Sequence, residues 1–408
     1  MNNVVLVSGR YIKHNPYREL SILDELIQKG YEPCLLIPLD KNFSRGYPEV
    51  FLNDKLLMQY RFKTFLNNFD LIKKCIFKKY IFCGADKQYT LALFLLRLLG
   101  KKIISYDSAG GTDQCNNFAN IACVKSSYHK KYFYKSGSLL PRSSKLQKFF
   151  RTRQRKNSIK ITGSILYDYP PQKTINNIEF RKKYDLSENE KIIVLFPKTI
   201  YAFDKKIDTW CRFLPKERAN YYKDLHKELN LRVLNIVQSF GCTPLIKIHP
   251  LTFNTEDPQR EIEFWESKNA KIIDTSPYDT FSMYKNMSLG ISLNSQSSFD
   301  VNYFQKPFIY IEDANELPPW FSQNQAYNDA NCLLQGPSSN WQSDNMKKSN
   351  WCPAWVGYLS KLDNLYDDLN RIFDDNSLIP QYEEFISEFW FKSDGRAAKR
   401  IVESINDL

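Results

Sequence analysis

Short, almost purely apolar runs alternate with amphipathic stretches along most of the chain. Runs at 4–7, 34–38, 78–83, 102–106, 120–124 and 159–162 are predicted strands in the first half. Runs at 191–196, 244–248, 271–273, 288–293 and 308–311 repeat the pattern in the second. Between them, 18–29 places Leu20, Leu23, Leu26 and Ile27 on one helical face, and 90–99, 222–240, 278–286 and a segment from Phe299 are also predicted helices. Strands this apolar are covered on both faces, and their alternation with helices predicts an α/β fold with parallel sheets. Residues 314–355 are predicted to be loops, and 356–373 and 380–408 largely helical, the last helix starting after Ser393-Asp394-Gly395. The acids Asp367, Asp368, Asp374 and Asp375 are expected to face water.

Ligands of open parallel sheets sit beyond the carboxyl ends of the strands. Polar segments at such ends are therefore the candidate chemistry. Asp107-Ser108-Ala109-Gly110-Gly111, with Asp113 two residues on, follows the strand at 102–106. Lys198 follows the strand at 191–196, and His249-Pro250 ends the one at 244–248. Asn294-Ser295-Gln296-Ser297-Ser298 joins the strand at 288–293 to a helix. Each has a plain structural alternative: a turn or cap aspartate, a surface lysine, a capping histidine, an N-cap serine. Serine hydroxyls and N–H groups at a helix start can also bind an anion without a metal. The opening βαβ unit lacks GxGxxG, so the dinucleotide fingerprint is missing.

With 408 residues the chain is long enough for two domains, and 15% aromatic residues argue for a folded protein. Residues 1–170 and 171–378 are read as two domains joined by a linker beginning at Pro170-Pro171, with 379–408 as closing helices. The net charge of +12 suits an acidic partner. Residues 142–160 hold eight Lys/Arg and no acid, a candidate contact with an anionic membrane or a diphosphate-linked acceptor. No nucleic-acid module accompanies them, so no nucleic-acid partner is expected. Nine cysteines without CxxC pairs, with Cys34, Cys75, Cys83 and Cys242 in apolar runs, read as buried thiols in a reducing compartment. Four histidines without metal spacing argue against structural zinc. Residues 1–11 read as a first strand instead of a signal peptide, and no run is long enough to span a bilayer, so a cytoplasmic location is expected.

Two Rossmann-like halves with closing helices resemble the GT-B glycosyltransferases, whose parallel sheets face a central cleft. Four stretches narrow the resemblance to bacterial surface-polysaccharide enzymes, both the CMP-sugar-dependent Kdo and sialic acid transferases and the CDP-glycerol glycerophosphotransferases. They are Asp107 to Gly110, the TGxxxxD segment Thr162 to Asp168, His249-Pro250, and Ser297-Ser298. The ending Ser393-Asp394-Gly395-Arg396-Ala397-Ala398-Lys399-Arg400-Ile401 resembles the closing DGxAxxRI helix of related surface-carbohydrate proteins.

The resemblance implies a transferase moving a sugar, first of all a CMP-activated acidic sugar such as Kdo or sialic acid, onto a glycan or lipid-linked acceptor. His249 would steady the departing phosphate, aimed by Pro250, with Ser297, Ser298, Gln296 and Lys198 at the donor. Asp107 would be the acceptor's base, with Gly110 and Asp113 beside the acceptor. The family element often carries two adjacent acids where this chain has Asp-Ser-Ala-Gly, which makes Asp113 the alternative acid. Neither a metal nor another cofactor is implied; the nucleotide-sugar is a substrate. Two further readings share the fold: a CDP-polyol phosphotransferase, and a non-catalytic sugar-nucleotide-binding scaffold. A nonhydrolysing epimerase shares it too, but its set of catalytic acids is not found.

Overall fold

The structure is a computed structural model. It describes residues 4–8, 19–39, 57–84, 90–106, 119–127, 130, 158–165, 168, 175–197, 199–200, 215–249, 252, 257–273, 277–293, 295, 297–311, 313, 358–374 and 386–408. The chain divides into two compact units, one of residues 1–169 with 384–408, the other of 170–383.

In the first unit seven strands form one parallel sheet: β1 (Val4–Val7), β2 (Cys34–Pro38), β3 (Phe62–Phe65), β4 (Tyr80–Gly84), β5 (Lys102–Tyr106), β6 (Ile121–Val124) and β7 (Ile159–Ile161). Their order is β3-β2-β1-β4-β5-β6-β7, so β1 pairs with both β2 and β4 and the order reverses between them. Alternate strand residues serve opposite faces. Val5, Val7, Cys34, Leu36, Ile81, Cys83 and Ile103 form one buried cluster with α2 (Asn68–Cys75) and α3 (Thr90–Leu98). Helix α1 (Leu20–Gln28) buries Leu20, Ile22, Leu23 and Leu26.

The second unit repeats the plan with six strands: β8 (Ile193–Leu195), β9 (Leu245–Lys247), β10 (Lys271–Ile273), β11 (Leu289–Ser292), β12 (Phe308–Ile311) and β13 (Tyr358–Ser360). Their parallel order, β10-β9-β8-β11-β12-β13, reverses between β8 and β11. Among the described residues of this unit are helices α4 (Asn177–Lys183), α5 (Lys216–Ser239), α6 (Pro258–Glu266), α7 (Pro277–Asn286), α8 (Ser297–Tyr303) and α9 (Leu365–Asp374). Two parallel sheets in an α/β arrangement are thus established. The four cysteines expected to be buried are buried, as is Cys123. Among the described residues no helix is long and apolar enough to cross a membrane.

Two expectations near the end of this unit fail. Residues 358–360 are a strand, not helix: they pair with β12, and sheet hydrogen bonding overrides a segment too short to have a helical period. Asp368 does not face water. It is buried, accepting hydrogen bonds from Tyr358 Oη (3.0 Å) and Arg371 Nη1 (3.4 Å).

The chain ends in a π-helical turn (Ile386–Trp390) and α10 (Ala397–Glu403), which belong to the first unit. Here the TGxxxxD and DGxAxxRI stretches meet. Gly163 has φ +86°, and a Cβ there would lie 3.1 Å from Arg400 Nη2 and 3.4 Å from the Ala397 Cβ. Arg400 Nε donates to the Thr162 carbonyl (2.7 Å) while its Nη1 and Nη2 bind Asp394 (2.9 and 3.0 Å). The backbone N–H groups of Ala397 and Ala398 donate to Asp168. Both stretches are therefore an architectural joint that fixes the start of α10.

Burial pushes the Asp168 carboxyl up to about 6, outweighing those backbone bonds and Arg400, against 3.8 for an ordinary aspartate. The folded state then holds its proton more tightly than the unfolded chain, so its contribution is complete below about pH 4 and is lost as pH rises through 6. Relative to Asp168→Asn, the wild type is expected to lose at most about 3 kcal/mol of stability between pH 4 and 7. Denaturant titrations of both proteins across that range measure it; a pH-independent difference would refute the assignment.

Candidate functional site

The order of the second sheet reverses between β8 and β11, and local chemistry gathers at the carboxyl ends of its strands, the side on which open parallel sheets bind ligands. Gly290 makes the strand junction possible. A Cβ at that position would lie 2.7 Å from Phe308 Cδ2 and 3.0 Å from Phe196 Cε2, so only glycine fits beneath the two rings. Phe196 continues into a column, its ring 5.7 Å from Phe308 and 6.4 Å from Tyr284, which stacks on Phe304 at 5.5 Å.

At the carboxyl ends themselves, Ser292 Oγ donates to the Phe196 carbonyl (2.7 Å) and accepts from the Ser295 N–H (3.1 Å). The Ser297 N–H donates to Ser295 Oγ (3.1 Å). Ser298 is buried, its hydroxyl 2.6 Å from Tyr310 Oη, and Tyr310 Oη donates to the Ser295 carbonyl (2.9 Å). The Ser298 hydroxyl is thus part of the packing between α8 and β12. Ser297 is half-buried and is the more accessible of the two.

His249 lies two residues beyond β9, half-buried, its carbonyl accepting the Thr252 N–H (2.9 Å). Thr252 leads to a residue that pattern reading missed. Glu261 on α6 is 1% exposed, and its carboxylate gathers four donors. Oε2 accepts from the Thr199 and Thr252 hydroxyls, the latter at 3.1 Å. Oε1 accepts from the Ile200 N–H (3.2 Å) and Trp265 Nε1 (3.4 Å). Burial pushes its pKa up, and the four bonds pull it back. One carboxylate therefore ties the segment after β8 to the segment after His249, the two strand ends on one side of the reversal. An N-cap signal, Asp257 before Pro258, marks α6 in the sequence, but nothing there says that Glu261 faces inward.

The first sheet has a corresponding reversal between β1 and β4. There Ser8 Oγ donates to Glu19 Oε1 (3.4 Å), and both residues are fully buried. Glu19 is a further acid that pattern reading passed over as part of a helix face. Asp107, Gly110, Asp113, Lys198, Pro250, Gln296 and residues 142–157 of the basic stretch lie outside the described residues.

Solved structures share this architecture across the whole chain. UDP-GlcNAc 2-epimerase from Neisseria meningitidis bound to UDP-GlcNAc superposes with a TM-score of 0.59 at 11% identity, covering 99% of this chain and 100% of the other. MnaA of S. aureus in complex with UDP gives 0.54 at 13%, covering 100% and 96%. A variant of the wall teichoic acid polymerase TagF soaked with CDPG gives 0.56 at 12%, covering 99% and 88%. The fold is GT-B. No protein-family model matches the sequence, and no curated protein matches it significantly.

Replacing Glu261 by Gln removes one acceptor oxygen and turns an amide toward donors. Thermal melting is expected to fall by about 5–10 °C. An unchanged melt would refute the tether.

Proposed function

We propose that the chain is a GT-B transferase of bacterial surface-polysaccharide assembly that takes an activated sugar from a nucleotide donor. The finer reading is a CMP-linked acidic sugar, Kdo or sialic acid, passed to a glycan or lipid-linked acceptor. The observation that carries it is the placement of His249 and the Ser295–Ser297 turn at the carboxyl ends of a sheet whose order reverses between β8 and β11.

In this reading the donor's phosphate sits over that end of the second sheet. The acceptor hydroxyl loses its proton to Asp107 and its oxygen bonds to the anomeric carbon. The bond from that carbon to the phosphate oxygen breaks, and the electron pair leaves with CMP. The His249 imidazole, as a hydrogen-bond donor or cation, stabilises the charge that builds on the phosphate. Ser297, Gln296 and Lys198 bind the same group, Pro250 fixes the histidine turn, and the buried Ser298 supports the turn from behind. Gly110 and Asp113 border the acceptor. No metal or other cofactor takes part.

A second reading keeps the fold and transfers a polyol phosphate from a CDP-polyol; the likeness to TagF, soaked with CDPG, favours it. The likeness to UDP-GlcNAc 2-epimerases supports a sugar nucleotide as ligand in the first reading.

Calorimetry with CMP, CDP, UMP, UDP and GDP tests the proposal. CMP should bind best, and His249→Ala should weaken it by about tenfold or more without changing the melting temperature. Preference for CDP selects the polyol reading. Preference for a uridine or guanosine nucleotide overturns the cytidine donor, and no binding by any overturns the transferase.

A further inference from the structure

Helices α2 and α3 cover one face of the first sheet side by side, and both are apolar on their outer sides as well. On α3 the inner residues Ala92, Leu93 and Leu96 enter the sheet cluster, while Leu91, Leu95 and Leu98 are exposed at i, i+4, i+7 spacing. Leu91 and Leu98 are 58% and 61% exposed, and Leu99 continues the stripe. On α2 the inner residues are Leu71 and Cys75, and the outer row is Phe69, Lys73 and Ile76, with Phe77 following. Phe69 is 78% and Phe77 87% exposed. Single exposed leucines are ordinary, but two neighbouring helices that both carry large apolar side chains on their outer sides form a patch of the kind that marks an interaction surface.

The charge around the patch identifies the partner. Residues 66–102 hold eight Lys/Arg against two Asp, and one of those, Asp70, is paired with Lys74. The cations cluster where each helix ends: Lys73, Lys74, Lys78 and Lys79 at α2, Arg97, Lys101 and Lys102 at α3. Large apolar side chains bordered by lysines match the interface of an anionic bilayer, with the rings and leucines among the acyl chains and the ammonium groups at the phosphates.

We propose that the outer face of α2 and α3 docks the protein on anionic membrane. The inference does not depend on the nucleotide reading.

The test is flotation of the full chain with vesicles of phosphatidylcholine alone and of phosphatidylcholine with phosphatidylglycerol. Binding is expected only to the anionic vesicles and should weaken with salt. Phe77→Ser and Leu98→Ser should each reduce partitioning by about tenfold. These positions are exposed, so the melting temperature should not change, and the circular dichroism spectrum provides a second check on folding. Lys73→Glu with Lys79→Glu should reduce anionic binding while leaving the melt unchanged. The proposal is overturned if the chain ignores anionic vesicles, or if the serine variants bind as wild type does. It is also overturned if wild type self-associates in light scattering and Phe77→Ser abolishes that association, which would assign the face to a second copy.

Discussion

At Gly290 the absence of a methyl group lets the rings of Phe196 and Phe308 close over the central strand of the second sheet. That contact sits where β8 and β11 pair, the place where strand order reverses. The residue after β8 is Phe196 itself. The same residue that packs over Gly290 gives its carbonyl to Ser292, and Ser292 in turn holds the Ser295 turn. Core packing and the shape of the strand ends are one continuous structure, so a methyl group at 290 would disturb both.

On the other side of the reversal the constraint is electrostatic. A buried carboxylate is unfavourable unless its oxygens are satisfied, and Glu261 meets that requirement only if Thr199, Ile200, Thr252 and Trp265 converge on it. The cost of burying the charge thereby becomes a geometric specification for two segments that contact each other nowhere in sequence. A comparable logic operates in the first unit, where the half-buried Asp168 accepts from the start of α10 and Arg400 reaches back to Thr162. Two motifs that suggested a family likeness thus have a structural duty, and the weight of a ligand-binding reading rests on the second sheet.

Much of the fold was legible because fully buried parallel strands leave an almost continuous apolar signature, as in Val4–Val7 or Phe308–Ile311. What escaped were segments whose amphipathic character is weak. Phe62–Phe65 is a half-exposed edge strand, and Tyr358–Ser360 is another edge strand that only its pairing with β12 defines. Three missed helices carried cap signals that hydrophobic period alone ignores: Asn67 before α2, the Asn176–Glu179 capping box before α4, and Asp257-Pro258 before α6. Of the candidate site, His249 and the serine turn were visible because polar residues interrupt apolar runs at strand ends. The role of Ser298 in packing was not, since a buried and an exposed N-cap serine look alike in sequence. Glu261 and Glu19 were hidden because a glutamate on a helix ordinarily faces water, and only the fold reveals which one turns inward.

The central claim is that the carboxyl end of the second sheet, at the β8/β11 reversal, is where a donor nucleotide's phosphate binds. A crystal structure with CMP or CDP bound measures this directly. The account predicts a phosphate oxygen within hydrogen-bond reach of the His249 imidazole and of the Ser295–Ser297 turn. A nucleotide bound at the amino ends of these strands, or at the first sheet with His249 untouched, would contradict it.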